Sequence, residues 1–303
     1  MTHIAVLGST DMDLVTYVEK APQRGETVTG REFRTIPGRE GANQVAAARA
    51  GSTVSMAGAV GNDGFGTRLR SALELPHSRL RSSGGTPIGV TTDHLRTLEG
   101  PSGTVHIVVD DEGGNAIVDI PGANGTVDHL APGDEGLIAS ADALLLQLEI
   151  PLAAVLAGAQ TARAHGVRTI LTPAPARPLP PELLDTTDVL VPNEHEAATL
   201  TGRSDPFAAG APLLDRIPGV VITLGAAGSV YLTRDAEPLA APAPQVTAVD
   251  STGAGDTYVG AVALGEERPI RESMACAAAL SVQREGTSAS MPCRSEIEAR
   301  YTS

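Results

Sequence analysis

Residues 246–261 read V-T-A-V-D-S-T-G-A-G-D-T-Y-V-G-A. Val246, Ala248 and Val249 have the character of a strand. A turn of small residues follows, Ser251, Thr252, Gly253, Ala254 and Gly255, and Asp256 then opens an apolar helix with Thr257, Tyr258 and Val259. A turn of this kind leaves backbone N–H groups bare at a helix N-terminus, where the dipole favours an anion, so a phosphate is the expected ligand. Gly253 and Gly255 fit, because a Cβ would hold a transferring phosphoryl group away from those amides. Asp256 would be repelled by a bound phosphate unless it has another task, and the obvious one is to accept the proton of an alcohol attacking that phosphate. The plainer alternative is an ordinary turn with Asp256 as helix cap. On Gly-x-Gly-Asp alone, that alternative leads.

Bulk properties narrow the field. The 303 residues carry a formal net charge of −14 without a run of Lys or Arg, which opposes a nucleic-acid surface. Hydrophobic content of 42% is ordinary for a soluble globular chain, and no apolar run reaches membrane-spanning length. Lys20 is the only lysine, so a P-loop, which needs Gly-x-x-x-x-Gly-Lys, is excluded. Cys276 and Cys293 have no metal-ligand spacing and make no disulfide framework. The start, MTHIAVLG, enters a strand directly, without a signal-peptide pattern, so a cytoplasmic protein is expected.

Outward from the opening stretch, short apolar runs alternate with helical segments. Residues 4–7 form a buried strand ended by Gly8 and Ser9, with Asp11 and Asp13 just beyond it, where open α/β sheets place ligands. Those two carboxylates suit a polyol, a metal or plain loop surface, and taken alone the surface reading is favoured. Residues 27–33 alternate like a strand, outside any helical period. P-G-R-E-G-A-N-Q (37–44) leads into an Ala-rich helix over 45–50, and Asn43 offers both a donor and an acceptor to vicinal hydroxyls. G-N-D-G-F-G (61–66) reads as turn chemistry between a strand at 54–60 and a helix at 67–73, and residues 74–86 as a surface insertion. Residues 104–120 read as a hairpin around an acidic, Gly-containing turn. The strand at 143–148 ends at Glu149, a carboxylate poorly placed for mere solvation. Asn193 and Glu196 share a helical face after the strand at 189–191, suiting either a hydrated Mg²⁺ or simple capping. The strand at 220–224 runs into the glycine-bearing 225–228.

Taken together, D-S-T-G-A-G-D-T-Y-V-G (250–260), P-G-R-E-G-A-N-Q, P-N-E-H-E-A (192–197), T-L-G-A-A-G (223–228) and R-E-G-T-S-A-S-M-P (284–292) resemble, in order and spacing, the signatures of the ribokinase-like (phosphofructokinase-B-type) sugar and nucleoside kinases. The resemblance covers nearly the whole chain. It implies one α/β domain over 1–303: a three-layer fold with a mostly parallel central sheet and a small β-sheet lid formed by about 14–36 and 95–120. It also implies a homodimer through that lid. The implied reaction is transfer of the ATP γ-phosphoryl group to a primary hydroxyl, with D-ribose first among substrates; deoxyribose, fructose or a nucleoside comes second, and a non-catalytic sugar- or nucleotide-binding relative third. Asp256 would be the base, with the Gly253, Ala254 and Gly255 amides facing the transferring group. Asp11, Asp13, Gly38, Gly41, Ala42, Asn43 and Glu149 would hold the sugar. Asn193, Thr223, Leu224, Gly225, Ala226, Ala227, Gly228 and Gly255 would hold ATP. Glu196 would position Mg²⁺, while Asp250, Thr252, Ser281, Arg284, Gly286 and Ser290 would surround a K⁺ ion. The chain departs from the family pattern at Asp11, which stands for an Asn, and at Arg39 and Glu40, which stand for a Gly and a Lys. These departures bear on substrate choice and lid closure.

Overall fold

The computed structural model describes residues 2–48, 52–74, 90–112, 114–264, 277–284, 290–292, 296, 297 and 299. In chain order the elements are β1 (His3–Leu7), β2 (Asp11–Tyr17), β3 (Glu32–Gly38), α1 (Glu40–Ala48), β4 (Thr53–Gly61), α2 (Gly64–Glu74), β5 (Val90–Thr91) and β6 (Leu95–Leu98). Next come β7 (Gly103–Val109), β8 (Asn115–Ile120), α3 (Asp134–Ala139), β9 (Ala143–Leu146), α4 (Leu152–His165), β10 (Arg168–Leu171), α5 (Pro181–Asp185) and β11 (Val189–Leu190). The last are α6 (Glu194–Thr201), α7 (Pro206–Leu213), β12 (Gly219–Thr223), β13 (Ser229–Thr233), β14 (Leu239–Ala241) and α8 (Ala254–Leu264).

A strand covered on both faces must be apolar at every position. β1 meets that condition. Ile4 and Val6 point into a layer shared with Val45, Met56, Leu145, Tyr258 and Val259. Ala5 and Leu7 point into the opposite layer with Leu144, Leu146, Ala154 and Val155, as the two-residue period requires. β1 lies between β4 and β9, parallel to both. The large sheet runs β14-β13-β12-β11-β10-β9-β1-β4-β5, with β6 also paired to β4. Its first connections from the far edge, β14 to β13 and β13 to β12, are antiparallel; the other pairings are parallel. The expected three-layer α/β architecture is therefore present.

A separate four-stranded sheet has the order β3-β2-β7-β8. Its limits differ from the sequence expectation at both segments. β2 begins at Asp11 and β3 ends at Gly38, whereas β6, expected inside the second lid segment, pairs in parallel with β4 in the large sheet. The hairpin of β7 and β8 forms in the register Thr104 to Ile120 through Val109 to Asn115. Its turn is closed by Asp110, whose Oδ1 accepts from Gly114 N–H at 2.7 Å and Glu112 N–H at 3.1 Å.

Two local expectations change. Residues 246–249 are not a strand: Pro242 and Pro244 remove donors just upstream, and Val249 and Asp250 bond instead to the Val282 carbonyl at 2.7 and 3.1 Å. α1 begins at Glu40, ahead of the expected 45, so Asn43 and Gln44 belong to the helix. Gly41 permits this, because a Cβ there would lie 2.6 Å from the Ser9 nitrogen, and its neighbour Ala42 donates to the Ser9 carbonyl at 3.0 Å.

Candidate active site

Ligand sites in such sheets form beyond the C-terminal ends of the parallel strands, and the expected residues collect there. Ser9 follows β1, Glu149 follows β9, Thr172 follows β10, Asn193 follows β11, and Thr223 ends β12. Asp11 and Asp13 arrive differently. They sit on β2 rather than in a loop past β1, two residues apart and so on one face of the small sheet. The register puts Asp119 of β8 on that same face, across from Val105 and Asp13.

Asp256 is the third residue of α8, after Gly253 at φ 74. The cap reading does not hold, because the side chain turns toward α1. Its Oδ2 accepts from Asn43 Nδ2 at 2.9 Å and its Oδ1 from Gln44 Nε2 at 3.4 Å. Gln44 is itself braced, donating to Thr172 Oγ1 at 3.1 Å and accepting from Gln147 Nε2 at 2.6 Å. Burial lifts the Asp256 carboxyl to about 7; the Asn43 and Gln44 hydrogen bonds pull it down, and the Glu149 and Glu196 charges push it up. A carboxylate titrating near neutrality suits a general base. At the exposed Gly255 an added Cβ would meet no protein atom, so the turn is open on its outer side.

The carboxylates around the expected sugar position form one network. Glu149 accepts from Ser9 Oγ and, at 3.1 Å, from the Glu40 N–H. Asp11 accepts from Asn124 Nδ2, and Asn124 also joins both backbone groups of Thr10 at 3.2 Å. Burial raises all three sugar-side carboxyls, Asp11 to about 8, Glu149 to about 7 and Asp13 to about 6. Arg39 partly opposes each rise. Its Nε lies 2.6 Å from Glu149 Oε1 and 3.1 Å from Asp11 Oδ2, and its Nη2 lies 2.5 Å from Asp119 Oδ2. This contact is made at φ 85, a backbone region that costs a residue with a Cβ roughly 1–2 kcal/mol. Glu40 goes the other way: its Oε2 is buried without a hydrogen-bond partner, and burial with the Glu149, Asp256 and Glu196 charges holds its carboxyl well above the usual range.

At the other end of the site, Asn193 and Thr223 form a bridge between adjacent strands. Leu224 N–H donates to the Gly228 carbonyl at 2.8 Å around a 3-10 turn over Gly225–Ala227. Gly228 is required by packing as well as by any ligand, since its φ is 104 and a Cβ would lie 2.6 Å from the Ala243 nitrogen. Asn193 and Glu196 form a reciprocal capping box, each backbone N–H donating to the other's side chain at 2.8 Å. Capping therefore engages Glu196 Oε2, and burial raises the carboxyl. Among the described residues no group of three or more His, Cys, Asp or Glu could hold a metal. For the expected K⁺ loop, Val249 and Asp250 lie beside the 281–284 segment through their N–H bonds to the Val282 carbonyl. Thr252 N–H donates to Asp250 Oδ1 at 2.9 Å and Arg284 N–H to the Ser281 carbonyl at 3.1 Å. Ser290 is buried, and Gly286 lies outside the described residues.

Four polar residues escaped the sequence reading as site elements: Ser9, Gln44, Asp119 and Asn124. Gln44 was visible inside a matched motif, but Gln44 and Asn124 find partners 212 and 113 positions away along the chain.

Comparison with known proteins agrees with this geometry. The profile of the pfkB family carbohydrate kinases matches residues 1–294. A ribokinase of Bacillus subtilis is 40% identical, with 98% of this chain and 99% of that protein covered. A ribokinase of Schizosaccharomyces pombe is 37% identical over 99% of this chain and 98% of its own. The structure of Arabidopsis thaliana ribokinase complexed with ribose and ATP superposes with a TM-score of 0.90 at 30% identity, covering 100% of both chains. With the motifs, the fold and the profile in agreement over almost its whole length, the chain belongs to the pfkB family of carbohydrate kinases.

Proposed function

We propose that this chain transfers the γ-phosphoryl group of ATP to the primary 5-hydroxyl of D-ribose. The observation that carries the proposal is the placement of Asp256: a buried carboxylate held by Asn43 and Gln44 at the mouth of a glycine turn, within electrostatic reach of Glu149. Asp11, Asp13, Asn43 and Glu149, with the backbone of Gly38, Gly41 and Ala42, orient the sugar. Asp256 takes the proton of the attacking hydroxyl, and the N–H groups of Gly253, Ala254 and Gly255 face the charge that builds on the transferring group. Asn193, Thr223 and the 224–228 turn hold the nucleotide. Magnesium, when bound, supplies positive charge to the phosphates, and Glu196 is placed to hold its water. A potassium ion, when bound beside the 250–252 and 281–284 segments, would steady the glycine turn. The cell compartment is the cytoplasm; among the described residues no helix is long and apolar enough to cross a membrane.

A second copy docks on the outer face of the small sheet. There Phe33, Val118 and Ile120, on the face opposite Asp11 and Asp119, are 60%, 61% and 45% exposed. The contact of Arg39 with Asp11 and Glu149 favours a second reading, a kinase for another sugar of similar size.

ADP release with ATP and Mg²⁺ tests both readings, against D-ribose, deoxyribose, fructose and nucleosides, with and without potassium. Ribose-dependent turnover supports the first and turnover with another sugar alone supports the second. Saturable sugar binding without turnover assigns the chain to the non-catalytic relatives.

A further inference from the structure

Arg39 is the one non-glycine residue at positive φ among the described residues, and its side chain runs inward to the sugar position. Its Nε lies against Glu149 and Asp11, the carboxylates aimed at sugar hydroxyls in the mechanism above, and its Nη2 reaches Asp119 on β8. A site built to bind a hydroxyl rejects the analogue that lacks it, because its buried polar groups are then left unpaired. Here the guanidinium opposes their charge from within: Arg39 Nε is in ion-pair contact with both but makes no hydrogen bond among the described residues, and the guanidinium's hydrogen bond goes to Asp119. A pentose missing one ring hydroxyl leaves no carboxylate charge unopposed, while a fully hydroxylated one must share or displace Arg39. An anionic sugar gains little, since the three carboxylates already engage the guanidinium.

We propose that Arg39 sets the selectivity of this pocket, making it permissive for a deoxypentose by acting as an internal partner for the Asp11 and Glu149 carboxylates. The inference rests on the sugar-kinase reading.

The test is kcat/KM for D-ribose, 2-deoxy-D-ribose and 3-deoxy-D-ribose in the wild type and in R39G. Glycine removes the guanidinium and suits the positive φ. R39N is the second variant, short and tolerant of the same backbone, and unfolding is followed for both. The wild type should prefer ribose over at least one deoxypentose by less than about tenfold, and in both variants that preference should rise by about tenfold or more, chiefly through KM. R39K, which keeps a cation, should stay nearer the wild type. Unchanged ratios in R39G and R39N overturn the inference, as does a wild-type preference for ribose of about a thousandfold over both analogues. If the wild type turns over none of the sugars, the sugar-kinase reading itself falls and takes this one with it.

Discussion

Replacing Asp256 by asparagine separates the two effects of burying that carboxyl, on chemistry and on stability. The folded-state value of about 7 stands against a reference of 3.8, so between those values the folded chain binds more protons than the unfolded one. Stability must therefore fall as pH rises through the window. A shift of roughly three units corresponds to about 4 kcal/mol across the whole window, of which about 2–3 kcal/mol falls between about pH 5 and pH 8.5. The amide of the D256N variant does not titrate, so that part of the slope disappears. The substitution has its own cost: Asn43 and Gln44 donate to different oxygens of the carboxylate, so one of them would face the new NH₂ group, leaving a buried donor worth about 1–3 kcal/mol unpaired. D256N should therefore gain about 2–3 kcal/mol on the wild type between about pH 5 and pH 8.5, read by urea unfolding, while ADP release falls by about 10²–10⁴. Parallel pH slopes for the two proteins would refute the burial argument, and near-normal turnover would refute the assignment of base.

Asn43→Ala removes a hydrogen bond that holds the Asp256 carboxyl down, so the acidic limb of the kcat profile should move to higher pH; an unmoved limb would show that Asp256 is not the group being titrated. Gly41→Ala places a Cβ 2.6 Å from the Ser9 nitrogen and should cost about 1–3 kcal/mol in urea unfolding, with an unchanged midpoint contradicting the close approach of α1 to β1. Val118→Asp puts a charge on the exposed outer face of the small sheet and should convert a dimer to a monomer in light scattering, whereas a persistent dimer would place the interface elsewhere.

The sequence was most legible where one short stretch carries its own chemistry. The apolar runs of β1, β9 and β12 name a doubly covered sheet, whereas the 253–256 turn taken alone favours a plain capped turn, and only the joint order of the motifs raises the phosphate and polyol readings. It was least legible where meaning depends on a distant partner. Arg39 and Glu40 looked alike as departures from a pattern, yet Arg39 lies in ion-pair contact with three carboxylates while Glu40 is a further acid buried among them. Local spacing could not separate metal binding from capping at Asn193 and Glu196, because both need a Glu three residues on; the hydrogen bonds give the capping box. The strand expected at 246–249 failed for a related reason: β-prone residues need an edge to pair with, and here Val249 and Asp250 both donate to the Val282 carbonyl.

Among the described residues the chain passes between the two sheets four times, entering at Asp11, leaving after Gly38, re-entering at Gly103 and leaving after Ile120. These crossings are bunched. Asn124 clasps Thr10, Ala123 N–H reaches the Pro101 carbonyl at 3.0 Å, and Ala42 N–H reaches the Ser9 carbonyl at 3.0 Å. A unit inserted through one narrow waist can be exchanged between related chains with few junctions to match. Recombination that swaps 11–38 together with 103–120 would carry Asp11, Asp13 and Asp119 as a set and leave Asp256 and Glu149 behind. Two of the carboxylates proposed for the sugar, Asp11 and Asp13, thus travel as one inheritable unit, while Glu149, Asn43 and the proposed base Asp256 stay with the large sheet.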